Sequence, residues 1–144
     1  MSAKKTVIQA IFDASVAIEN CGLDRVKEEW RDRWLEYRKE LIALLPRGSG
    51  FDAGTKFVEF SKQGEWKKTE VIRFETSFHH MDEHGYNGWS EHTVTVRPSF
   101  SGIRISISGR DRNEIKDYIY EVFHDVLTSE APEPSWAKVK EVKS

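Results

Sequence analysis

The sequence predicts an α+β domain: an N-terminal helical hairpin, a four-stranded antiparallel meander sheet and a C-terminal helix packed on one sheet face. Three observations carry this prediction. Apolar residues recur at three- and four-residue spacing up to about residue 45. From residue 56 to 108 they alternate with polar residues, and after Asp111 the helical spacing returns. Strands joined in sequence by turns need no crossover, so the sheet is antiparallel, with one face on helices and the other open.

Each element follows from its own pattern. Residues 6–19 place Val7, Ile8, Ile11, Ala14, Ser15 and Ile18 at helical spacing, and Gly22 reads as the stop. A second helix is expected from Asp24, a good N-cap, to about Leu45. Its apolar stripe is Leu23, Val26, Trp30, Trp34, Tyr37, Leu41 and Leu44. Arg25–Glu29 and Glu29–Arg33 are set to pair on the opposite side, and Pro46 ends the helix. Residues 47–55 read as a Gly-rich loop, Lys56–Phe60 as a short strand and Gln63-Gly64 as a turn.

In Val71–His80, Ile72, Phe74, Thr76 and Phe78 fall on one face, against Arg73, Glu75, Ser77 and His79 on the other. Met81–Ser90 reads as a polar connection. His92, Val94 and Val96 then alternate with Thr93, Thr95 and Arg97. After Pro98–Gly102, Ile103, Ile105 and Ile107 alternate with Arg104, Ser106 and Ser108. Asp111 reads as the N-cap of the last helix, with Glu114 completing a capping box. Ile115, Tyr118, Ile119, Val122, Phe123 and Val126 form that helix's stripe. Pro132 and Pro134 break the pattern, so residues 130–144 read as a flexible tail. The expectation is one domain over 1–129, with the hairpin at 6–45, the sheet at 56–108 and the last helix at 111–128.

Composition narrows the function classes. The chain has 144 residues, with 22 basic and 24 acidic side chains and a formal net charge of -2. Such balance argues against a general binder of nucleic acid or anionic membrane, which carries a cationic excess. An aromatic content of 12% with five Trp argues against a disordered chain. The single cysteine, Cys21, forms no intrachain disulfide, so a reducing cytoplasm is the expected setting. Lys4 and Lys5 precede an apolar stretch, but Gln9 and Asp13 interrupt it, and neither a leader nor a membrane span is expected.

Two regions carry candidate chemistry. By alternation the open sheet face gathers Arg73, Arg97 and Arg104 with Glu75, Ser77, His79, Thr93, Thr95, Ser106 and Ser108. Guanidinium forks and hydroxyls suit carboxylates and phosphates, while the same composition also fits a solvated face. The second region is residues 78–92, which hold four of the five histidines, together with Asp82, Glu83 and Glu91. Imidazole and carboxylate are ligands for Zn, Mn or Fe, so His80, His84, His92 and Asp82 or Glu91 form an alternative metal set. Met81 stands where an H-E-x-x-H motif needs glutamate. Tyr86 and Trp89 beside Asn87-Gly88 read as a contact loop or as a plain hairpin connection. The histidine cluster would make such a contact sensitive to pH. Residues 48–55 lack the Gly-Lys-Ser/Thr ending of a Walker loop and the spacing of a nucleophile elbow. Arg110 and Arg112 stand at a helix start that favours anions, where a surface turn is the simpler reading.

The strings LPRGSGFDAGT (45–55), FHHMDEHGYNGWSEHTVTVRPSF (78–100) and GRDRNEIKDYIYEVF (109–123) resemble a group of small uncharacterised proteins of tailed bacteriophages and prophages. The resemblance covers residues 44–127 and implies a phage-derived protein in the bacterial host cytoplasm. It carries no activity and no catalytic residue. The resulting expectation is a non-enzymatic accessory protein that binds a host protein or a small anionic ligand such as a nucleotide signal, so interfering with host defence or metabolism. The ligand set would be Arg73, Arg97, Arg104, His79, Tyr86, Trp89, His92 and Thr95, with no cofactor. The alternatives are a metal-dependent hydrolase using the histidine-rich loop and, more weakly, a sheet that binds single-stranded nucleic acid. A homo-oligomer stays open, because Trp30, Trp34 and Tyr37 fit either a cover for the sheet or a dimer seam.

Overall fold

The computed structural model describes residues 5–21, 25–46, 51, 54–63, 69–81, 87–99 and 102–136, giving backbone alone for 62–63, 69, 80–81 and 87–89. Among these residues the order is α1 (Val7–Asn20), α2 (Arg25–Ile42), β1 (Thr55–Gln63), β2 (Thr69–Met81), β3 (Asn87–Ser99), β4 (Gly102–Ser108) and α3 (Asn113–Leu127). The class is α+β, with an N-terminal hairpin of helices, an open antiparallel sheet ordered β1-β2-β3-β4, and a C-terminal helix. No helix of the described residues is long and apolar enough to cross a membrane. The chain divides into two compact units, Met1–Leu41 with Leu127–Ser144, and Ile42–Val126.

In the first unit Thr6 caps α1, its side chain accepting from the Gln9 amide. The predicted stripe is buried, with Val7, Ile8, Ile11, Ala14, Ser15 and Ile18 all inside. Arg38 of α2 donates to Ser15 of α1 at 3.4 Å, and burial together with nearby Arg31 lowers the Arg38 pKa. The α2 stripe is narrower than the sequence suggests. Tyr37 and Leu41 are buried, whereas Val26 is 64% exposed. Asp24, the expected cap, lies outside the described residues.

Part of the expected tail is held in place. Thr6 bridges to Glu130, and backbone bonds run from Val7 to Ser129 and from Ala131 to Lys5. The Tyr37 hydroxyl donates to the Pro132 carbonyl. The Trp136 ring meets Trp34 at 5.2 Å and Tyr37 at 5.8 Å, both edge-on. Pro132 and Pro134 do end the helix pattern, but an extended segment can still pair and pack.

In the second unit the apolar face of the sheet is the one that alternation predicts. Ile72, Phe74, Val94, Val96 and Ile105 are buried there. Helix α3 packs on that face, with the Phe123 ring 6.4 Å from Phe74 and the Tyr118 ring 5.8 Å from Phe78. Phe51 adds a third contact, 5.1 Å from Phe78.

The strands run longer than predicted. β1 reaches Gln63, and β2 and β3 together take in half of the expected connection, leaving residues 82–86 between them. Asn87-Gly88 is therefore strand and not turn, pairing with Met81 and His80. A bulge lies between Phe57 and Glu59. It lets Phe57 and Phe60, three residues apart, pair with Phe74 and Ile72 on one face, which strict alternation forbids.

Candidate functional site

The open face of the sheet is built in rows of register partners. Lys56, Glu75, Thr93 and Ser108 succeed one another across all four strands. The next row is Glu59, Arg73, Thr95 and Ser106, and beyond it Arg97 stands opposite Arg104. The three predicted arginines thus share one face, as alternation required. Their electrostatic states differ. Arg73 is ion-paired with Glu59, brought opposite it by the bulge. Arg97 and Arg104 are both exposed and make no ion pair among the described residues. Two guanidinium groups directly across an antiparallel pair repel one another, while together they offer donors to a carboxylate or phosphate.

At the Lys56, Glu75, Thr93 and Ser108 row, with none of the three arginines in its lining, lies a polar cleft of about 310 Å³ lined by Gly54, Lys56, Glu75, Thr76, Ser77, Glu91, His92, Thr93, Ser108 and Gly109. Alternation turns the Thr76 and His92 side chains to the opposite face of the sheet. The side chains left on the cleft face are one ammonium, two carboxylates and three hydroxyls, a set suited to hydrogen bonding and not to strong anion capture.

His92 does not join the arginines, contrary to the expected ligand set. Its side chain is 0% exposed, and Nε2 lies 3.1 Å from Oδ2 of Asp111, itself 7% exposed. Asp111 is correspondingly not the helix cap. Helix α3 starts at Asn113, and the Arg112 carbonyl accepts from the Ile115 and Lys116 amides, placing the cap at Arg112. Gly109 makes the approach possible, because a Cβ there would lie 2.6 Å from His92 Cδ2 and 2.8 Å from the Glu91 carbonyl oxygen. Local capping rules cannot see this partner, nineteen positions away in sequence. Its one legible signal was the place of His92 on an otherwise apolar strand face.

The remaining predicted residues separate. His79 and Thr95 are strand residues on the open face, His79 being the register partner of Trp89. Tyr86, Asp82 and His84 lie outside the described residues, as do the side chains of His80 and Trp89. Glu91 is exposed on the open face while His92 is buried on the other, so these two members of the alternative metal set do not converge. Among the described residues no three His, Cys, Asp or Glu side chains are gathered to hold one ion.

No family model, curated protein or solved structure matches this chain.

Proposed function

We propose that this is a binding protein and not an enzyme, and that its open sheet face takes an anionic group carried by a small ligand such as a nucleotide or by a host protein. The observation that carries the reading is the pairing of Arg97 with Arg104, exposed and side by side. Like charges so placed weaken the sheet. A phosphate or carboxylate between them accepts from both forks and removes the repulsion. Thr95 and Ser106, paired with each other in the adjoining row, add hydroxyls. Arg73, held by Glu59, shapes the surface more than it supplies charge. The resemblance over residues 44–127 favours a phage accessory role in the host cytoplasm, where such a ligand would be a host metabolite, a defence signal or an acidic protein surface.

The experiment is a thermal-shift titration at low salt with inorganic phosphate and with nucleoside mono-, di- and triphosphates, alongside a pull-down from bacterial lysate. A saturable rise in Tm, or a captured partner, that the Arg97→Ala/Arg104→Ala variant loses supports the reading. Failure of both assays, or a signal that the double variant retains, removes it.

A further inference from the structure

The first unit holds a larger cleft that the sheet face does not explain. Its volume is about 620 Å³, and its lining sets three carboxylates, Asp32, Glu36 and Glu40, and one guanidinium, Arg33, beside Trp30, Tyr37 and Trp136. The aromatic wall is fixed. Trp136 sits edge-on to Trp30 at 6.1 Å, to Tyr37 at 5.8 Å and to Trp34 at 5.2 Å. Tyr37 is anchored by its bond to the Pro132 carbonyl.

The cleft's electrostatics favour cations. Burial first, and then the carboxylates of Glu40, Asp13 and Glu133, raise the Tyr37 pKa, so the phenol stands in a negative field. The lining Arg33 guanidinium lies 5.2 Å from the centre of the Trp30 ring, an intramolecular instance of the cation–π contact that the aromatic wall offers. Asp32 and Glu40 make no ion pair among the described residues, and Glu36 has only a 3.8 Å contact to exposed Lys39. Asp32, Glu36 and Glu40 recur every fourth residue of α2, so these lining residues repeat about every 6 Å along the helix axis.

We propose that this cleft binds a basic peptide segment of a partner protein, extended and presenting lysine or arginine at alternate positions. Alternate side chains of an extended chain repeat about every 6.6 Å, which matches the carboxylate spacing. The aromatic walls take the alkyl stems and face the cationic heads. A single small amine meets only one of the three carboxylates, so the spacing selects a polymer.

The test is calorimetric titration of the full chain at low salt with a blocked octapeptide alternating Lys and Ser. The same peptide with Glu for Lys, spermine and tetramethylammonium serve as comparisons. Saturable binding of the Lys peptide is expected, with none of the Glu peptide. In Asp32→Asn/Glu40→Gln, affinity is expected to fall roughly tenfold at unchanged Tm. No saturable binding, an unchanged affinity in the double variant, or equal affinity for spermine or tetramethylammonium overturns the proposal. Arg97→Ala/Arg104→Ala, which tests the sheet face, is expected to leave this titration unaltered.

Discussion

His92 Nε2 stands 3.1 Å from Asp111 Oδ2 with both side chains buried, fastening the segment that leaves β4 to β3 before α3 begins. Both are buried polar side chains, so removing one leaves the other without its neighbour in a site closed to water. A buried polar group so stranded costs about 1–3 kcal/mol. His92→Ala is expected to lower unfolding stability by that amount in urea denaturation. The double change His92→Ala/Asp111→Ala is expected to cost less than the two single changes added together. Additive losses would mean that the two side chains are not coupled.

The same junction sets a contrast between two glycines. Gly109 has φ +156°, and a Cβ there meets His92 and the Glu91 carbonyl below 3 Å. Gly102 has φ +123° and open space around the corresponding position. Gly102→Ala bears only the backbone cost. Gly109→Ala also displaces the imidazole or the strand, adding about 1–3 kcal/mol. Denaturation midpoints of the two variants measure the difference, and equal losses would show that His92 yields freely.

These two residues also mark where sequence reading stops. Alternation was enough to place Phe74, Val94, Val96 and Ile105 inside and Arg73, Arg97 and Arg104 together outside, because a period of two is a local property of the chain. It did not show that Arg73 is neutralised, since that depends on a one-residue bulge moving Glu59 opposite it. Asp111 fitted a capping box by local rules, and only the tertiary structure offers it His92 instead. Asn87-Gly88 carried a turn signal, yet the β2–β3 pairing continues through it. Trp136 lay beyond two prolines in a charged tail, and neither its packing on α2 nor the bridge from Thr6 to Glu130 is announced by a local pattern.

Tyr37 gives a prediction in alkali. Burial and the neighbouring carboxylates raise its pKa above the ordinary 10.0, so the folded state keeps the phenolic proton at pH values where the unfolded chain has lost it. The resulting stabilisation is complete below about pH 10 and is lost as pH rises toward the folded pKa. Tyr37→Phe is expected to lose about 0.5–1.5 kcal/mol at neutral pH with the bond to Pro132. Above pH 10 the wild-type Tm is expected to fall more steeply than that of the variant, so the two converge. Parallel melting curves through this range would contradict the shift.

Arg97 and Arg104 give a prediction that sets stability against the proposed binding. They face one another across β3 and β4 without an acidic partner among the described residues, a placement that weakens a sheet unless something else uses it. Arg104→Glu turns repulsion into attraction, and an exposed cross-strand pair of opposite charge is worth about 0.2–1 kcal/mol. The variant is therefore expected to melt slightly higher than wild type at low ionic strength. That gain is expected to shrink as salt shortens the Debye length toward about 3 Å at 1 M. The same substitution puts a carboxylate where the anion would sit, so any phosphate-dependent rise in Tm seen for wild type is expected to vanish. A variant that is more stable and no longer responds to anions would mean that the repulsion is kept for binding. One that melts higher while its anion response is unchanged would remove the Arg97–Arg104 site.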